Sequence, residues 1–291
     1  MSFENRSIFD FSVTDTPFMD PEFPPEHFMT HFMCEGTPVH TAMWIAQGSG
    51  PHPCVIIPPQ SYGGDRLESL IIPLLNSGIS VLAFQARGMW DGGVRYSPLT
   101  GLEDVHAAVA FLRTLETAGR TTKSGRSYRV DPARIGVLGL SGGGGSAGFA
   151  ACAEIAELNY GIAIAPVNYE RFRNLDLANL PKNMFEKVKS ETAGRVDSEA
   201  NLRRMDSAQI DRLSIIHNVP KLLSKTLLLI GGNQDTVNTV AADHKPIVRA
   251  FREAGAERFT DTILESDHLF LNTRIALARL VIGWLKSECG F

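Results

Sequence analysis

Short, unbroken apolar runs recur along this chain, separated by stretches in which apolar residues return every three or four positions. Residues 54–57, 79–84, 135–140, 160–165 and 226–230 are runs of this kind. Their length and β-branched content predict strands buried on both faces of a mostly parallel sheet. Between them, residues 65–76 place Leu67, Leu70, Ile71, Leu74 and Leu75 at helical spacing and close at Gly78, with Pro73 inside as a potential kink. Residues 102–117 and 240–255 predict two further helices, and 269–286 a closing helix with Trp284 in its apolar stripe. Residues 259–264 predict a last strand, and 27–34 and 39–45 flank Glu35-Gly36 as a β-hairpin would. Strand and helix alternate from Ile57 onward, which predicts an α/β sheet with right-handed crossovers and helices on both faces.

The alternation breaks after Asn168. Residues 169–223, about 55 in number, are charged, helical in character and without a buried-strand run, too many for a plain crossover. They predict an inserted helical cap, whose Phe172, Leu175, Met184, Phe185 and Met205 line a pocket or form the cap's own core. Residues 1–26 hold four prolines and Phe9, Phe11, Phe18 and Phe23 without clean periodicity. They predict an extended arm that packs on its own domain or carries a homodimer contact. The expected organisation is an arm (1–26), a core (27–168 and 224–291) and a cap (169–223).

Composition narrows the function classes. A chain of 291 residues with 44% hydrophobic and 21% charged residues can bury a full core. Its net charge of −4 gives no reason to expect nucleic acid or an anionic membrane surface. No apolar run reaches membrane-spanning length, and the first residues lack a charged-then-apolar leader. The four cysteines are scattered, with Cys54 and Cys152 in apolar runs, so core thiols in a reducing cytoplasm are expected.

The chemistry gathers at Gly139-Leu-Ser141-Gly-Gly143, a G-x-S-x-G pattern after an apolar strand and before a small-residue helix. A serine at the tip of so tight a strand-to-helix turn needs neighbours without bulky side chains. The helix start offers free N–H groups, that of Gly142 first, to a developing oxyanion. Gly143-x-Gly145-x-x-Gly148 also matches a dinucleotide fingerprint, but the next strand ends in Pro166-Val-Asn168 without the required carboxylate. No G-K-[ST] follows, which excludes a P-loop. A serine nucleophile needs a histidine base and a carboxylate to orient it. Of eight histidines, His268 is placed in a loop after a late strand, at the sheet edge where Ser141 must lie. Asp235 follows the 226–230 strand through Gly231-Gly232 towards the same edge; Asp267 is the second candidate acid. His27 and His31, four residues apart in a predicted strand, are about 13 Å apart and cannot share a metal ion. Neither a metal nor a cofactor is expected.

These motifs, together with residues 103–112, Asp131-Pro-Ala-Arg134 leading into the elbow, Leu228-Leu-Ile-Gly-Gly-Asn-Gln-Asp235 and Ser266-Asp-His268, resemble the α/β-hydrolase superfamily. Within it the chain is most similar to the dienelactone-hydrolase and acyl-peptidase-like branch. The resemblance implies a cofactor-free serine hydrolase acting on a small-molecule carboxylic ester, or an acyl-peptidase; a non-hydrolytic or binding protein on the same scaffold is the reading from another class. It also implies an oxyanion hole built from Gly142 and a residue of the loop after Ile57. The superfamily's His-Gly is replaced there by Gln60-Ser-Tyr62-Gly-Gly64, which puts Tyr62 at the donor position, with Ser61 one register away. Arg87-Gly88 resembles the superfamily's R-G turn, where the arginine is more often structural.

Overall fold

The computed structural model describes residues 10, 14–59, 67–87, 96–117, 120–121, 125–173 and 205–291. The opening hairpin is β1 (Glu26–Cys34) and β2 (Thr37–Ile45), turning at Glu35 and Gly36 with φ of 47° and 78°. The apolar runs form β3 (His52–Ile57), β4 (Ser80–Phe84), β7 (Val130–Leu140), β8 (Leu158–Ile164) and β9 (Thr226–Gly232), with β10 (Phe259–Leu264) last. Together they make an eight-stranded sheet in the order β1-β2-β4-β3-β7-β8-β9-β10. The block from β4 to β10 is parallel, and β1 and β2 join it antiparallel.

Every residue of β3, β4 and β9 is buried, as a strand covered on both faces requires. Alternate side chains divide between two cores. Cys54, Ile56, Val137 and Leu229 enter the core beneath α2 (Pro98–Thr117) and α3 (Ala147–Glu154). Val55, Ile57, Leu138, Leu228 and Ile230 enter the other, beneath α1 (Glu68–Asn76) and the C-terminal helix α7 (Arg274–Cys289).

Several boundaries moved. Helix α2 starts four residues before the expected 102, and α7 five residues after 269, because Asp267–Thr273 forms a loop in which buried Phe270 adopts φ of 58°. Strand β7 takes in Asp131 and Pro132. The expected basic loop at 118–129 contains a small two-stranded ladder, β5 (Arg120–Thr121) with β6 (Ser127–Tyr128). Tyr128 is buried; its hydroxyl donates to Pro24 O (2.8 Å) and its ring meets Phe23 edge-on. That end of the arm packs on its own domain, whereas Phe9 and Phe11 lie outside the described residues.

Of the segment 169–223, residues 174–204 lie outside the described residues. Its two ends belong to the main core. Tyr169 and Phe172 of a short 3₁₀ turn, and Ile210, Leu213, Ile215, Val219 and Leu222 of helices α4 (Ser207–Leu213) and α5 (Ile215–Leu222), are buried in the cluster that contains α3. Helix α6 (Lys245–Glu253) completes this layer through Ile247, Val248 and Phe251.

Candidate active site

Three loops leave the carboxyl ends of β7, β9 and β10, where crevices form in open parallel sheets. Each delivers one of the residues singled out from sequence. Ser141 directly follows β7 with φ of 62° and ψ of −160°, a backbone that side-chain-bearing residues rarely adopt. The chain then enters a π-helical turn (Gly142–Ser146) before α3. A Cβ on Gly139 would collide with the backbone carbonyl of Gly144, so strand and turn touch there. The contact falls one residue beyond the G-x-S-x-G pattern, within the π-helical turn. Gly142 is buried at the start of that turn, where a helix's N–H groups have no internal partner.

The loops after β9 and β10 are held against one another. Gln234 N donates to Ser266 O (2.9 Å) and Asn233 N to Leu264 O (3.0 Å). A Cβ on Gly232 would stand 2.5 Å from Ser266 O, so only glycine permits this approach. Asp235 is buried, and its Oδ1 accepts from the N–H groups of Val237 (2.7 Å) and Asn238 (2.9 Å). Its Oδ2 lies 2.8 Å from His268 Nδ1, and His268 Nε2 lies 3.1 Å from Ser141 Oγ. The structure therefore brings Ser141, Asp235 and His268 into one hydrogen-bonded row. Asp267 turns away: its Oδ1 accepts from Leu269 N along its own loop (3.1 Å). Ser266, bonded to Asn272 (2.6 Å) and Thr273 (3.0 Å), braces the loop that carries His268.

Tyr62, its alternative Ser61 and the glycines after them lie outside the described residues. Arg87 has no part in the row. It is buried and donates to Asp104 through its backbone N–H (3.0 Å) and Nε (2.5 Å), and to Glu35 through Nη1 (2.7 Å). The cysteines offer no rival nucleophile. Burial pushes Cys34, Cys152 and Cys289 up to about 12 and Cys54 higher still, so each stays a thiol at neutral pH. Among the described residues no His, Cys, Asp and Glu side chains gather as a metal site would need. No described helix is long and apolar enough to cross a membrane.

One residue beside Ser141 was missed from sequence. Asn238 is buried; its Nδ2 donates to Ala165 O (2.8 Å) and stands 3.5 Å from Ser141 Oγ. Asparagine three residues after an aspartate reads as ordinary turn chemistry, and no periodicity marks it.

No protein-family model matches the chain, and no curated protein sequence does. Solved structures do resemble it. A 2,6-dihydroxy-pseudo-oxynicotine hydrolase superposes with a TM-score of 0.63 at 21% identity, over 91% of this chain and 68% of that one. An acylaminoacyl peptidase of Pyrococcus horikoshii gives 0.63 at 16%, over 92% of this chain. An esterase of Pyrococcus furiosus gives 0.57 at 19%, over 90% of this chain and 91% of that one. The chain spans 42% of the peptidase's length. With its mostly parallel sheet, helices on both faces and serine at the turn after β7, this chain has the α/β-hydrolase fold.

Proposed function

We propose that the protein is a cofactor-free serine hydrolase that cleaves a small-molecule carboxylic ester through an acyl-enzyme. The observation that carries this reading is the row from Ser141 Oγ through the His268 ring to the Asp235 carboxylate, at 3.1 and 2.8 Å. A serine hydroxyl is a weak nucleophile until a base within hydrogen-bond reach takes its proton. In the proposed cycle Oγ attacks the ester carbonyl carbon as its proton passes to His268 Nε2. Asp235 holds the ring and stabilises the imidazolium. The tetrahedral oxyanion is received by the N–H of Gly142 and by that of Tyr62. His268 returns the proton to the departing alcohol, leaving an acyl group on Ser141. Water, deprotonated by His268, then releases the acid and restores the hydroxyl.

An amide substrate is the second reading, favoured by the likeness to an acylaminoacyl peptidase, although this chain spans less than half of that protein. Graded p-nitrophenyl esters against aminoacyl p-nitroanilides separate the two. A cytoplasmic setting goes with the proposal, since all four cysteines are free and three of them are buried.

The decisive test is Ser141→Ala. It is expected to lower kcat by about 10⁴- to 10⁶-fold and to abolish covalent labelling by a fluorophosphonate probe. Folded wild-type protein that takes up no probe on Ser141 overturns the reading in favour of a binding protein.

A further inference from the structure

Among the described residues, Ser141 Oγ has two polar side-chain neighbours, and the cycle above uses only His268. We propose that the other, Asn238, sets the direction of the nucleophile's proton: its amide donates to Ser141 Oγ, so that the serine hydroxyl must donate to His268. The proposal rests on the serine-hydrolase reading above and adds a positioning residue to it.

The donor assignment follows from what each partner is able to accept. Asn238 Nδ2 lies 2.8 Å from Ala165 O, a backbone carbonyl that accepts and never donates. The end of the side chain facing it is therefore the NH₂ group and not the amide oxygen. One of its two hydrogens goes to Ala165 O, and the second is left for Ser141 Oγ at 3.5 Å. A serine hydroxyl owns a single hydrogen. With a donor already directed at Oγ, that hydrogen is left for His268 Nε2, 3.1 Å away.

The far end of the row imposes the same polarity. Asp235 Oδ1 is occupied by the N–H groups of Val237 and Asn238 itself, and Oδ2 faces His268 Nδ1 at 2.8 Å. A carboxylate accepts, so Nδ1 carries the proton and Nε2 keeps its lone pair for the serine. Asn238 thus acts on both ends, through its backbone N–H on the acid and through its amide on the nucleophile. A separation of 3.5 Å is long for a resting hydrogen bond. As the proton leaves, negative charge grows on Oγ and a donor aimed at it becomes more strongly attracted; catalytic contacts are often long before substrate binds.

A purely structural role for Asn238 is separable, because the joint it makes between the loops after β8 and β9 is duplicated. Asn168 N and Nδ2 donate to Asp243 Oδ1 and Ala242 O (each 3.0 Å), and Arg171 Nη1 donates to both Asp243 oxygens (3.0 and 2.8 Å). Arg171→Ala weakens that joint without touching Oγ.

The test compares Asn238→Leu, near in shape but without donors, with Arg171→Ala in the full chain. Two readouts are used: the second-order rate of fluorophosphonate labelling, and kcat and KM on a p-nitrophenyl ester. Asn238→Leu is expected to slow labelling and lower kcat about tenfold with KM unchanged, the effect of one lost hydrogen bond to a developing charge. Arg171→Ala is expected to keep wild-type values. If thermal unfolding shows that Asn238→Leu does not fold, Asn238→Ala is read in its place with the same expectation. Wild-type rates in the Asn238 variant, or an equal slowing by Arg171→Ala, overturn the proposal. Absence of labelling on Ser141 in the wild type overturns the serine-hydrolase reading and this proposal together. Labelled wild type with an unslowed Asn238 variant overturns this proposal alone.

Discussion

A side chain held at φ of 62° and ψ of −160°, as at Ser141, costs on the order of 1–3 kcal/mol unless its surroundings hold it there. Here they do so through contact: Gly139 and Gly144 meet backbone to backbone, Gly148 lets Val137 approach, and Ser146 exchanges hydrogen bonds with Val167 O and N (each 2.9 Å). The elbow is therefore intolerant of a single methyl group. Gly139→Ala is expected to lose at least about 2 kcal/mol of stability in urea denaturation, because its Cβ meets rigid backbone and not a side chain that can turn aside. A Gly139→Ala protein with the wild-type midpoint would show that strand and turn have room between them. At this scale the sequence was most informative where chemistry demands particular residue types. The serine between glycines, the histidine after a late strand and the aspartate after a glycine pair stood out. Asn238 and Gly144 did not: Asn238 matters through Ser141, far away in sequence, and Gly144 through a close approach to Gly139 that depends on the shape of the turn between them.

Between elements, the buried Arg87–Asp104 pair ties the end of β4 to α2, and through Glu35 to the turn between β1 and β2. Burial pushes the Asp104 carboxyl above the usual carboxylate range, against the pull of the guanidinium beside it. At Asp104 desolvation therefore outweighs the attraction of the guanidinium, and the pair is costly chiefly to break. Arg87→Leu is expected to destabilise the protein by about 3–5 kcal/mol, and adding Asp104→Leu to restore much of that loss. Denaturant midpoints of the two variants decide it, and a double variant no more stable than the single one contradicts the account. Elements were legible wherever a single period governed a run: β3, β4 and β9 as unbroken apolar strands, α1 and α6 as helical stripes. The β5–β6 ladder was not legible, because two strands of two residues carry no period. Helices α4 and α5 lie in the long, charged segment expected as a cap. Their buried residues pack in the core cluster that contains α3, a choice of partner that no local pattern encodes.

Across the whole molecule, burial is graded from the middle of the sheet to its edges. Strands β3 and β9 are buried throughout, whereas β1 alternates exposed and half-buried positions over most of its length and β10 has no buried residue. Backbone amides open with free energies that follow this grading. Hydrogen exchange is expected to be slowest in β3, the second half of β7, β8 and β9, and faster in β1 and β10. Uniform protection across all eight strands would contradict a graded sheet. The loops bearing Ser141 and Asp235 leave β7 and β9, whose carboxyl-terminal halves are buried throughout.

The amino-acid sequence by itself determined the layered α/β order and singled out the three residues that the fold brings into one hydrogen-bonded row. Those features depend on local periodicity and on side-chain type, which are written residue by residue. Only the tertiary structure decided that α4 and α5 pack in the main core, that Gly144 is the glycine Gly139 meets, and that Asn238 faces Ser141 Oγ. Each depends on which surfaces meet across more than four residues of chain, and packing between distant segments is set by the whole fold at once.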